Sequence, residues 1–192
     1  MRSESLRGKR IAIPGKLTTA YLVLKLFADG FIEEFLPFDG VIPAVQSGKV
    51  DAGLLIHEGQ VAYSERGLKK IVDLGVWWKG RTGLPLPLGV DAIRKDIPDD
   101  VAESFNQLFH RCIQYALSHR EEAVHYALQY ARGLERKKAD RFIGMYVNQD
   151  TLEFGERGRE AIRRLFSEAE KKNLIPIGVV PEFVGDEVLS RR

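Results

Sequence analysis

The sequence predicts an α/β fold, with a parallel sheet built in the first half of the chain and a helical second half. Three observations carry this. From residue 10 to residue 57, short apolar runs closed by Pro, Gly or Asp alternate with segments of helical spacing. That order, β-α-β-α-β, implies parallel strands joined by right-handed crossovers. Beyond Pro98 the apolar residues settle into a helical period and keep it.

Arg10-Ile11-Ala12-Ile13 reads as a first strand, ended by Pro14-Gly15. Thr18 to Phe27 reads as a helix with Leu22, Leu26 and Phe27 on one side, and Asp29-Gly30 stops it. Ile32 to Phe38 is a second strand. Asp39 is placed to cap a short helix through Gln46, which Ser47-Gly48 ends. Val50 to Ile56 is a third strand, running into His57. Leu68 to Leu74 and Leu84 to Val90 are two further strand candidates, with Trp77-Trp78-Lys79-Gly80 between them as a short helix or loop. Pro85 and Pro87 remove ladder donors, so the last candidate suits a crossover between lobes rather than a central strand.

In the second half, Val101, Phe105, Leu108, Phe109, Cys112, Ile113, Ala116 and Leu117 mark a helix of about five turns. Ser118-His119-Arg120-Glu121 matches a capping box opening a second helix, which Gly133 ends. Lys137 to Val147 is a third, and Arg157 to Lys172 a fourth, closed by Asn173 and Pro176. The tail from Ile177 is expected to fray. The expected organisation is therefore an α/β part over residues 1–97, carrying the cleft motifs, and a helical part over residues 98–192. Four amphipathic helices are more than a few short strands need, so the helical half reads as lacking a second sheet to cover.

Bulk properties narrow the function. The 192 residues carry 29 basic and 27 acidic side chains, a net charge of +2, which argues against a nucleic-acid or membrane-coating role. No apolar stretch approaches a membrane span or a signal core, so the cytoplasm is the expected location. Cys112 is the only cysteine and is expected to be a small core residue. His110, His119 and His125 fall on helices without metal-ligand spacing and are expected to be solvated or half-buried. Trp77 and Trp78 can stack on an aromatic ligand or fill a core.

Two stretches can carry chemistry. Pro14 to Ala20 joins a strand's carboxyl end to a helix start, where free N–H groups and the hydroxyls of Thr18 and Thr19 can hold an anion. Thr18 can equally be a plain helix cap. His57-Glu58-Gly59 follows the third strand. Ligands of open parallel sheets sit outside the strands' carboxyl ends, so both stretches should face one crevice. Imidazole titrates near neutral pH and can take a proton there. The residues alone leave His57 open between a base and a strand-end histidine bonded to a carbonyl. Glu58 orients it or merely begins the next helix.

Read in order, GKRIAIPGKLTTAYLVLKLF, VDAGLLIHEGQ, VDLGVWW and TGLPLPLG resemble the 1,4-dihydroxy-6-naphthoate synthases of the futalosine route to menaquinone. MYVNQDTLEFGERGREAI is similar to that family's C-terminal helical region, so the likeness runs over nearly the whole chain. The related chorismate dehydratases lack this pairing of Thr-Thr-Ala with Ile-His-Glu. The resemblance implies a two-lobed fold like that of type II periplasmic binding proteins, with the second lobe intact and the first represented mainly by its C-terminal helices. It implies a lyase that converts cyclic dehypoxanthinyl futalosine to 1,4-dihydroxy-6-naphthoate in the cleft between lobes. His57 is the implied general base, and Thr18, Thr19 and Ala20 the implied substrate contacts. No metal or organic cofactor is implied, and the partner is a small molecule. Family members carry additional chain before the segment matching Leu6, so the resemblance leaves three readings, a fragment, a misplaced start codon or half of a split gene; an upstream-encoded N-terminal fragment is the partner in the last, and weak or no activity is expected of the chain alone. Two readings from other classes stand beside this one: a small-anion solute-binding protein without chemistry, and an inactive fragment of the lyase. The lack of an export signal and the presence of His57 weigh against the first of these.

Overall fold

Strand β1 (Arg10–Ile13) is the centre of the sheet, and its alternation explains the layers on either side. The computed structural model describes residues 3–57, 59–130 and 135–185. Ile11 and Ile13 point to one face, where they pack with Leu24 and Ala28 at the end of helix α1 (Thr19–Phe27). Ala12 points to the other, against Val41 and Ala44 of helix α2 (Val41–Gln46) and against Val50. Strand β2 (Ile32–Phe35) and strand β3 (Ala52–Gly53) flank β1, both parallel to it, in the order β2-β1-β3. The expected β-α-β-α-β order and parallel pairing are therefore present.

The strands are shorter than their apolar runs suggest. Pro37 follows β2 closely and brings in a 3-10 turn, Phe38–Gly40, so the strand stops at Phe35 instead of reaching Phe38. Asp39 lies inside that turn and makes no cap, contrary to the expectation for it. The third run pairs only through Ala52 and Gly53, although Asp51 N–H to Arg10 O (2.9 Å) and Leu54 N–H to Ala12 O (2.9 Å) hold its flanks along β1.

Beyond β3 come the short helix α3 (Gly59–Ala62) and helix α4 (Leu74–Thr82). Neither Leu68 to Leu74 nor Leu84 to Val90 is a strand. A strand needs a partner, and among the described residues the sheet ends at β3 on that side. Ile71 is exposed, and the prolines of the second stretch leave it without a ladder. The two tryptophans fall inside α4, which Asp73 caps through Val76 N–H (3.1 Å). Trp78 is fully buried with Val23, Leu26 and Leu165, and its indole N–H donates to Pro85 O (3.0 Å). Trp77 meets Phe27 edge-on at 5.4 Å. Both therefore serve a core.

The helices of the second half are α5 (Asp99–Ser118), α6 (Arg120–Leu128), α7 (Arg136–Tyr146), α8 (Gln149–Leu152) and α9 (Gly155–Lys171). No capping box opens α6. Helix α5 runs through Ser118, whose hydroxyl donates back to Gln114 O (2.9 Å), and His119 makes no side-chain cap. A capping box forms instead at Asn148 and Thr151, opening α8. Gly133, the expected end of α6, lies outside the described residues. Asn173, in the left-handed region (φ 56), follows α9. Cys112 is exposed rather than buried, because the stripe of α5 on which it sits is itself uncovered. His110, His119 and His125 are exposed, as expected.

The chain forms two compact units. One is Met1–Leu88 with Arg164–Val179; the other is Gly89–Arg163 with Val180–Arg192. The sheet, α1 to α4 and the Trp78 core belong to the first. Helix α5 packs on α6 and α8 within the second. Among the described residues no helix is long and apolar enough to cross a membrane.

Candidate functional site

Three loops leave the carboxyl edge of the sheet, one from each strand, and all lie in the first unit. The β1 loop, Pro14 to Thr18, turns directly into α1. Thr18 is extended (φ −112, ψ 143); its hydroxyl accepts from Tyr21 N–H (3.1 Å) and donates to Gly15 O (3.0 Å). That hydroxyl is thus committed to shaping the turn. Helix geometry leaves the N–H groups of Thr19 and Ala20 without intrahelical acceptors, with the positive end of the helix dipole behind them. Leu17 beside them is 99% exposed, which keeps the entrance of the turn open.

The β3 loop, Leu54 to His57, ends in an exposed histidine. The His57 backbone is in the left-handed region (φ 53), and its carbonyl accepts from Gln60 N–H (3.2 Å). Such a conformation is uncommon for a residue with a Cβ and clusters at functional sites. Glu58 lies outside the described residues.

The end of β2 and its loop were not singled out in the sequence, yet the strand end meets α1 and the loop meets His57. Phe35 meets the Tyr21 ring edge-on at 5.6 Å, and Phe38 meets the His57 ring at 4.7 Å, tilted by 55°. Beneath Tyr21, Lys25 and Glu33 form an ion pair of 2.8 Å, both about a quarter exposed. The Lys25 hydrogen bond, and then one from Tyr21, hold the Glu33 carboxyl below its usual range. Burial first, then the Glu33 hydrogen bond and charge, push the Tyr21 phenol up to about 12. Spacing along the chain relates only Tyr21 and Lys25, one helical turn apart on α1; Glu33 joins them from β2. So Thr18, Thr19, Ala20 and His57 all follow the carboxyl ends of adjacent strands, and Phe35 at the end of β2 touches α1 at Tyr21 while Phe38 in the loop after it touches His57. Among the described residues no cluster of His, Cys, Asp and Glu could hold a metal ion.

A family model described as menaquinone biosynthesis matches residues 1–171. The chain belongs to that family. It is 41% identical over 181 residues to the 1,4-dihydroxy-6-naphtoate synthase of Thermus thermophilus, covering 94% of this chain and 66% of that one. It is 37% identical over 177 residues to the Streptomyces coelicolor enzyme of the same name, covering 89% and 63%. A crystal structure of an Archaeoglobus fulgidus protein superposes with a TM-score of 0.86 at 48% identity, over 89% of this chain and 65% of the other. This member of the menaquinone biosynthesis family thus spans just under two thirds of the length of these relatives.

Proposed function

We propose that the chain carries the catalytic edge of a 1,4-dihydroxy-6-naphthoate synthase, a lyase that acts on cyclic dehypoxanthinyl futalosine in menaquinone biosynthesis. The supporting observation is the gathering of His57 and the Thr18–Ala20 helix start at the carboxyl ends of adjacent parallel strands. His57 is the general base and removes the proton whose loss starts breakage of the cyclic substrate. The N–H groups of Thr19 and Ala20, on a turn fixed by Thr18, hold anionic or hydroxyl groups of the substrate where charge develops. No step of this reading needs a metal or organic cofactor.

The fuller protein in this reading is a cytoplasmic two-lobed fold of the type II periplasmic-binding kind. Residues 1–88 with 164–179 supply the lobe with the cleft motifs, and the helices within residues 89–163 belong to the other, so the division differs from one at residue 97. An upstream-encoded fragment completes that other lobe and one cleft wall. The exposed stripe of α5 supports this, because a periodic apolar face of that length is rarely left to water.

The test is product formation. The purified chain, alone and with the upstream fragment co-expressed, is given cyclic dehypoxanthinyl futalosine, and 1,4-dihydroxy-6-naphthoate is followed. Little or no turnover alone, restored by the fragment, is expected, since one wall cannot both position substrate and exclude water. Robust turnover by the chain alone would remove the need for a fragment. Saturable binding with no turnover in either preparation would favour a solute-binding protein.

A further inference from the structure

We propose that Phe38 is a positioning residue for His57, fixing the orientation of the imidazole from the loop that follows β2, on the far side of β1. The inference rests on the reading of His57 as the base and adds a residue to it. An exposed histidine at the end of a loop has free rotamers, whereas a general base must be held close to its productive geometry. The Phe38 ring lies 4.7 Å from the imidazole at 55° and closes one side of that rotamer space. Phe38 is well placed to act as a rigid prop. It follows Pro37 (φ −55), begins a turn closed by Gly40 N–H to Pro37 O (2.9 Å), and leads into α2, whose Val41 and Ala44 are buried under the sheet. The histidine's backbone is restrained from the other side by its left-handed conformation and by Gln60 N–H on its carbonyl. Ring and backbone together aim one side chain.

The test combines side-chain NMR of the folded chain with kinetics. In the wild type the carbon-bound ring protons of His57 should lie upfield of those of the exposed His110 and His125, with χ1 couplings of a single rotamer. Phe38→Leu should move them to the positions of the other two and average the couplings, and Phe38→Tyr should restore both. In the preparation that turns over substrate, Phe38→Leu should lower kcat by roughly tenfold to a hundredfold with KM unchanged, and Phe38→Tyr should recover most of it. Averaged couplings and unshifted protons already in the wild type would overturn the inference. So would wild-type kcat in Phe38→Leu when His57→Asn is inactive, with the proposed reaction left standing. If His57→Asn keeps wild-type turnover, the proposed reaction falls, and the couplings still decide whether Phe38 orients the ring.

Discussion

Helices α1 and α5 both carry apolar residues at helical spacing, but α1 buries Val23, Leu24 and Leu26, whereas α5 buries Ala102 alone. On α5, Phe105 is 54% exposed, Leu108 50% and Tyr115 55%, and Phe105 stacks on Phe109 in the absence of a deeper partner. The spacing is the same physics in both cases; the covering layer is not. Helix α1 lies on a strand with which it alternates in the chain, so its partner is local. The apolar stripe of α5 has no sheet beneath it among the described residues. An amphipathic pattern therefore states which face of a helix wants burial, and not whether this chain supplies what buries it.

The sharpest way to break that comparison is to truncate one aromatic on each side of it. Trp78→Ala removes a fully buried indole from the contact of α1, α4 and α9 and leaves Pro85 O without its donor, so a loss of about 3–5 kcal/mol is expected in urea unfolding. Phe105→Ala should cost less than about 1 kcal/mol, as surface substitutions do. Equal costs would show that α5 is covered after all.

A smaller effect tests the close approach of α2 to the sheet. A Cβ at Gly53 would collide with the buried Val41 side chain and press on Val45, so Gly53→Ala is expected to cost about 1–3 kcal/mol by overpacking. Smaller again, Thr18→Ala should cost about 1 kcal/mol by removing the cap of α1, with helix loss visible by circular dichroism. The exposed N-terminus of α5 has no side-chain cap to lose.

The gentlest probe is pH. The Tyr21 phenol is raised from 10.0 to about 12, so it holds its proton in the folded chain after the unfolded chain has released it. Its contribution to stability is whole below pH 10 and is lost as pH rises toward 12. Phenolate absorbance should show Glu33→Gln bringing the Tyr21 titration only part of the way back, because burial is the larger cause.

Much of the first half was legible because its signals are local. Pro14-Gly15 closes a strand whose residues then alternate between two faces, and Thr18 caps the helix that follows. Extents were less legible, since pairing depends on neighbours: the run from Val50 to Ile56 looks like one strand, yet only Ala52 and Gly53 pair with β1. Leu68 to Leu74 has strand composition and no edge to join. Ser118 looked like a cap because composition cannot show that the preceding helix continues through it. At the site, strand-end placement pointed to Thr18, Thr19, Ala20 and His57. Phe38 and the Tyr21, Glu33 and Lys25 group went unnoticed because their meaning lies in contacts across strands, which no spacing along the chain reveals.

The central claim is that the carboxyl edge of the sheet does chemistry through His57 and not merely capture. Replacing His57 by Asn keeps a polar side chain of similar reach and removes the base. Substrate affinity and turnover measured together on this variant, with the upstream fragment present, test the claim most directly. The account predicts unchanged affinity with turnover reduced roughly a hundredfold or more. Unchanged turnover would contradict it.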